Sequence, residues 1–218
     1  MNAPKAANRQ ELSHAHALKP RRWPRTERRQ ARIQSVLARR QPDLTVVMEN
    51  VHDPHNVSAI LRSCDAVGVL RAHAVYSIED PPPGAFARQT SASAAKWVEV
   101  ERHQSLADCY KLLRAQGFAI LVTDLGPDAG SLYDCDLRAP IALVLGNEMR
   151  GVSEQARDWA DGAIQIPMAG MVESLNVSVA GAVCLYEAFR QRAAAGDYDL
   201  PKLDPDRLRE LEEEWLRR

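Results

Sequence analysis

The sequence predicts an α/β protein: a mostly parallel β-sheet with helices on both faces, preceded by a basic helix and followed by a further helix. Three observations predict it. Strand-forming runs alternate with runs of helical periodicity between residues 44 and 192, the pattern of repeated βαβ units. The run "IALVL" at 141–145 is apolar at every position, as a strand buried on both faces requires. Helical runs stop at glycine, as at Gly68 and Gly117, just before the next strand begins.

The elements follow in order. "PRTERRQARIQSVLARRQPDL" reads as a helix capped by Thr26 and stopped by Pro42. Ile33, Val36 and Leu37 give it a thin apolar stripe. The rest of its surface is arginine: Arg25, Arg28, Arg29, Arg32, Arg39 and Arg40. "LTVVME" (44–49) is the first strand. The next helix takes Asn56 as N-cap and Gly68 as C-cap. Strands follow at 71–77 and, after a proline-rich loop, at 96–101. A helix covers 105–117, a strand 118–124, a loop 127–140 and a strand 141–148. Ser153 caps a short helix, 153–162, before a strand at 163–168. A long helix, 174–192, takes Ser174 as its N-cap. The last helix starts with Asp204 as cap and Pro205 at its first position, with Leu208, Leu211 and Trp215 along one side. It packs on the body or on a second subunit.

The 218 residues, 45% of them hydrophobic, suit one domain with some tail. No apolar run of about 18 residues is present, and the first 20 residues lack an apolar signal core. A cytoplasmic protein is expected. Cys64, Cys109, Cys135 and Cys184 are scattered with no C-x-x-C pair, which reads as reduced thiols and no metal site. His52 and His55 have H-x-x-H spacing but no third ligand. Residues 1–40 hold 11 Lys and Arg against 2 Asp and Glu, whereas the other 178 hold 17 against 27. A basic arm on an acidic body points to a polyanion, usually nucleic acid.

Ligands of parallel sheets bind outside the carboxyl ends of the strands. Three such ends carry unusual polar residues: "NVHDPHN", "NEMRG" and "AGMVESLN". Neither G-x-G-x-x-G nor G-x-x-x-x-G-K-[ST] is present, so no dinucleotide or P-loop site is expected. Gly181 lies inside the long helix, at a cost of about 1 kcal/mol relative to alanine. Close packing on another helix, or ordinary helix–sheet packing, must offset it.

Taken together, "ENVHDPHNVSAILRSCDAVGV", "LVLGNEMRGVSEQA" and "IQIPMAGMVESLNVSVAGAVCLYEAFRQR" resemble the three motifs of the SPOUT class of RNA methyltransferases, and within it the TrmH-type tRNA guanosine 2′-O-methyltransferases. The likeness covers roughly residues 24–218. It implies a C-terminal trefoil knot, a homodimer, S-adenosylmethionine as cofactor, and tRNA as substrate at the D-loop guanosine at position eighteen. The expected organisation is a basic RNA-binding helix (21–43), the catalytic domain (44–196) and a C-terminal helix (197–218), with residues 1–20 outside the likeness and read from their composition as an N-terminal extension without order.

The resemblance implies site residues too. Thr123, Gly146, Ile166, Met168 and Leu175 would hold the cofactor. Arg62 would be catalytic, with Asn56, Glu148, Ser174 and Asn176 beside it. A guanidinium keeps its proton up to about pH 12, so Arg62 suits gripping the phosphate beside the ribose more readily than proton abstraction. Glu148 would accept hydrogen bonds from Arg62, Asn56 or the ribose. Arg25, Arg28, Arg29, Arg32, Arg190 and Arg192 would meet the RNA backbone. The other readings are methylation of ribosomal RNA or another tRNA site, and a catalytically weak RNA-binding protein.

Overall fold

A computed structural model describes residues 27–78 and 96–218. Within them the chain forms α1 (Glu27–Leu37), β1 (Leu44–Glu49), α2 (Pro54–Val67), β2 (Arg71–Val75), β3 (Glu99–His103) and α3 (Leu106–Ala115). It continues with β4 (Ala119–Thr123), β5 (Gly130–Ser131), a 3₁₀ turn (Leu132–Asp134) and β6 (Ile141–Leu145). Helix α4 (Glu154–Asp158), β7 (Gly162–Gln165), α5 (Val177–Ala194) and α6 (Pro205–Arg217) complete it. The seven strands pair in the order β3-β2-β1-β6-β4-β7-β5. Every pairing is parallel. Parallel neighbours need crossover connections, and α2 supplies the one between β1 and β2.

Strands β1 and β6 are buried along their whole length. Their side chains alternate between two cores. Val46, Met48, Leu143 and Leu145 pack with Ile60 and Leu61 of α2 and Cys184, Leu185 and Ala188 of α5. Val47, Ala142 and Val144 pack on the other face with Leu106, Tyr110 and Leu113 of α3. Each buried valine or leucine is worth about 1.5–3 kcal/mol. A one-residue slip would exchange the two sets, so the register is firmly specified. Gly181 sits where an added Cβ would lie 2.7 Å from Leu145 Cδ1. The tightest approach is to the sheet, with Ile60 of α2 at 3.8 Å, so both helix–sheet and helix–helix packing contribute to the offset.

Several boundaries differ from those expected. Asn56 does not cap α2. Asp53 does, accepting from His55 N at 2.8 Å with Pro54 at the first helical position. Asn56 is one turn further in and buried. Ser174 does not cap α5 either; Asn176 does, accepting from Ser178 N at 2.9 Å. Strand β3 starts at Glu99 rather than Lys96, because Trp97 turns away to pack on Trp215, ring centroids 4.9 Å apart. The expected loop 127–140 contains β5 and the 3₁₀ turn, both too short to leave a periodic pattern. The proposed cap Thr26, with Arg25 and the extension 1–20, lies outside the described residues.

Helices α1 and α6 close on each other through Ile33, Leu37, Leu211, Trp215 and Leu216. Gln30 and Gln34 both donate to Glu212, at 2.7 and 2.9 Å. So α6 packs within its own chain. Arg40 is not a surface arginine. It is fully buried, paired with Asp65 at 2.6 Å and stacked over the Trp215 ring. On the α3 side of the sheet, burial pushes the pKa of His73 down to about 4, with His103 and Arg71 adding to the effect.

Candidate active site

A cavity of about 320 Å³ opens at the carboxyl ends of β4, β6 and β7, the place where a parallel sheet binds ligands. Thr123 ends β4, and its hydroxyl donates to Val144 O at 3.0 Å, tying β4 to β6. Gly146 follows β6. An added Cβ there would lie 2.1 Å from the Gly151 carbonyl carbon. Only glycine lets the loop fold back on itself, where Asn147 and Gly151 exchange two backbone hydrogen bonds of 2.9 Å. Ile166 and Met168 follow β7, and Leu175 precedes α5. All five expected cofactor residues line the cavity.

The cavity lining combines apolar side chains, Ile164, Ile166, Leu175, Val177 and Ala180, with charged ones, Asp124, Glu148, Glu173, Arg150 and Arg157. That mixture suits a nucleoside bearing a zwitterionic tail, and the volume reaches the usual range for small-molecule sites, about 300–1,000 Å³. Asp124 and Arg157 pair at 3.0 Å. The sequence reading missed both. Asp124 was within reach, because it follows Thr123 at a strand end. Arg157 was not, because only the return of α4 brings it there.

Beside the cavity, one hydrogen-bonded chain joins the three polar segments. Asn56 Nδ2 donates to Glu148 Oε1 at 3.0 Å. Asn176 Nδ2 donates to Asn56 Oδ1 at 3.1 Å. Asn176 Oδ1 accepts from Ser178 N and Ser178 Oγ, at 2.9 and 2.6 Å. The orientation of both amides is dictated by the ends. A carboxylate can only accept and a backbone N–H can only donate. Glu148 also accepts from Asp53 N, and Asn147 anchors the same loop by donating to Asn50 O at 2.8 Å. Asn50 holds its own left-handed turn, φ 53°, by accepting from Ser77 N.

Ser174 lines the cavity, is exposed, and has no hydrogen bond among the described residues. Arg62 lies apart from this group. It is exposed on the outer face of α2, does not line the cavity, and has no hydrogen bond or ion pair among the described residues. The inner face of α2 is formed by Asn56, Val57, Ile60, Leu61 and Cys64.

The arginines divide. Arg28, Arg29 and Arg32 are exposed on α1. Arg190 is exposed but held by Glu187, with hydrogen bonds of 2.9 and 2.7 Å. Those bonds, with a further one from Gln191, hold the Glu187 carboxyl below its ordinary pKa. Arg192 corrects an expectation, because it is fully buried. Its guanidinium pairs with Asp43 at 2.6 Å and donates to the Leu137, Asp43 and Ala139 carbonyls and to Gln41. It clamps the end of α5 to the start of β1, where no RNA reaches.

Comparison with known proteins settles the family. The model of the SpoU rRNA methylase family matches residues 43–186. The chain belongs to that family. A relative from Thermus thermophilus, named tRNA (guanosine(18)-2′-O)-methyltransferase, is 52% identical over 194 residues, covering 89% of this chain and 98% of its own. The crystal structure of the Aquifex aeolicus TrmH/SpoU tRNA modifying enzyme superposes with a TM-score of 0.76 at 37% identity, over 87% of this chain and 95% of that one. A second SpoU methyltransferase, AviRb from Streptomyces viridochromogenes, was solved in complex with S-adenosylmethionine. It gives a TM-score of 0.63 at 29% identity over 71% of this chain and 62% of its own. SpoU methyltransferases take S-adenosylmethionine, and the lining of the cavity described above fits that cofactor.

Proposed function

We propose that this SpoU-family chain methylates the 2′-hydroxyl of guanosine 18 in the tRNA D-loop. The observation that carries the reading is the hydrogen-bonded chain Glu148–Asn56–Asn176, which draws three distant segments to one cavity mouth. The substrate and position come from the relatives that share nearly the whole chain at about half identity.

When bound, S-adenosylmethionine supplies a methyl group on a sulfonium. The protein does the rest. Ile164, Ile166, Leu175, Val177 and Ala180 give an aromatic base an apolar wall and exclude water. Asn56, Glu148 and Asn176 set the loop positions at the mouth and so the direction of approach of the ribose. Methyl transfer needs the oxygen and the methyl carbon aligned and about 3–3.5 Å apart. Arg62 grips the phosphate next to that ribose with its two-pronged guanidinium. Exposed Arg28, Arg29 and Arg32 hold the backbone further out.

Arg62 faces away from the cavity of its own chain, so the reading gives it to the cavity of a second copy. Val179 and Tyr186 of α5, 48% and 53% exposed, form an apolar strip for that pairing. A homodimer acting on cytoplasmic tRNA is the form proposed. No helix among the described residues is long and apolar enough to cross a membrane.

The test is to incubate the purified protein with total tRNA and S-adenosylmethionine and map ribose methylation. New methylation at guanosine 18 supports the reading. Methylation confined to another tRNA position, or to added ribosomal RNA, overturns it.

A further inference from the structure

A second cluster of ligating side chains lies away from the cavity. His73 on β2, His103 at the end of β3 and Cys109 in α3 each offer a ring nitrogen or sulfur, and these atoms lie within 4.8 Å of one another. His73 Nδ1 and His103 Nε2 are 2.9 Å apart. None of the three lines the cavity. Among the described residues His73 and Cys109 are buried, whereas His103 is half-buried and opens the cluster to solvent.

We propose that His73, His103 and Cys109 form a zinc site, with water as the fourth ligand on the His103 side. Two imidazoles and one thiolate are a donor set that zinc favours in tetrahedral geometry. Bonds of about 2.0–2.3 Å put tetrahedral ligand atoms roughly 3.3–3.8 Å apart, so the present separations lie within about 1 Å of what is needed. The three residues stand on three separate elements that the sheet and α3 already hold rigid. Glu101 and Asp108 place negative charge beside His103, against the positive charge that Arg71 places beside His73. Glu101 is held by Arg71 at 3.2 Å and Asp108 by the Ser105 hydroxyl at 2.7 Å.

Binding balances simply. The Cys109 S–H bond breaks, its proton passes to solvent, and the sulfur electron pair forms the bond to zinc. The hydrogen bond between the two rings is lost. The ring that donated it carries its proton on the other nitrogen, so both facing nitrogens present lone pairs. The ion then ties α3 to the β2–β3 edge. The spacing concealed this: His73 lies 30 residues before His103, and the nearest cysteine follows six residues later.

The experiment uses the full chain, stripped with a chelator and titrated with cobalt(II) and then zinc. The wild type is expected to bind one cobalt per chain with a thiolate-to-cobalt charge-transfer band in the near ultraviolet, and zinc should displace it. Cys109→Ser should lose the band, and Cys109→Ser and His103→Gln should each weaken binding by more than roughly 10-fold. Zinc should raise the melting temperature of the wild type and not of Cys109→Ser. A wild type with no sulfur band at stoichiometric cobalt overturns the proposal whether or not either variant folds. A band that persists in Cys109→Ser overturns it too.

Discussion

The Asn56 side-chain amide donates to the Glu148 carboxylate at 3.0 Å, although 92 residues separate them. The bond crosses from the first helix after β1 to the loop after β6, and it fixes which way the amide faces. Asn56→Asp would set two carboxylates against each other and leave Asn176 facing a charge. Methyl transfer is expected to fall on the order of 100-fold through misplacement at the mouth. Glu148→Gln keeps an acceptor and should cost less. Steady-state kcat/KM on tRNA, with circular dichroism to confirm folding, checks the order. Asn56→Asp with near-wild-type kcat/KM would remove the chain from the mechanism.

Arg62 makes no bond among the described residues, so its replacement should leave stability within about 0.5 kcal/mol of wild type. Its effect should appear only in the reaction. Lysine keeps the charge but not the two-pronged grip. Single-turnover methylation by Arg62→Lys should be slower by about 10-fold or more, close to one lost charged hydrogen bond. A lysine enzyme running at near-full rate would mean that charge alone suffices.

Arg192 and the arginines of α1 should behave oppositely. Removing Arg192 leaves the buried Leu137 and Ala139 carbonyls without their donor, while Asp43 keeps Lys202 on its carboxylate and Ile141 N on its carbonyl. Arg192→Ala should destabilise by about 2–5 kcal/mol, through the two unsatisfied carbonyls and the lost packing. Arg28→Gln, Arg29→Gln and Arg32→Gln should barely move the melting temperature. Each that meets a phosphate should reduce the slope of log K for tRNA against log salt by about 1. A salt slope unchanged in the triple variant would take α1 out of the RNA surface.

Two glycines should separate by what a new methyl would meet. Gly146→Ala drives a Cβ into the backbone at Gly151, which cannot yield without moving the loop. Calorimetry should show loss of S-adenosylmethionine binding. Gly181→Ala meets the end of a leucine side chain at 2.7 Å. The strain there works against a helix-propensity gain of about 1 kcal/mol, so the melting temperature should change little. Equal effects of the two on cofactor binding would refute this distinction.

Much of the fold was legible because parallel sheets write themselves plainly. "LTVVME" and "IALVL" are apolar where both faces are covered, and Gly68 and Gly117 stop their helices in left-handed backbone, φ 90° and 83°. The caps were harder. Asn56, Ser174 and Asn176 are all cap-forming types at plausible places. Only tertiary contacts decide that Asn56 turns inward to Glu148 and leaves capping to Asp53. The cavity lining was legible from strand ends together with the family resemblance. The Asp124–Arg157 pair, the burial of Arg192 and the outward direction of Arg62 depend on how elements return in space, and residue type and spacing do not carry that. The His73–His103–Cys109 cluster was hidden for the same reason.

The most direct measurement uses two tRNA transcripts that differ at one atom: one carries guanosine at position 18, the other 2′-deoxyguanosine. Tritiated methyl from S-adenosylmethionine should enter the first and not the second. Equal incorporation into both would show that the 2′-oxygen of guanosine 18 is not the acceptor.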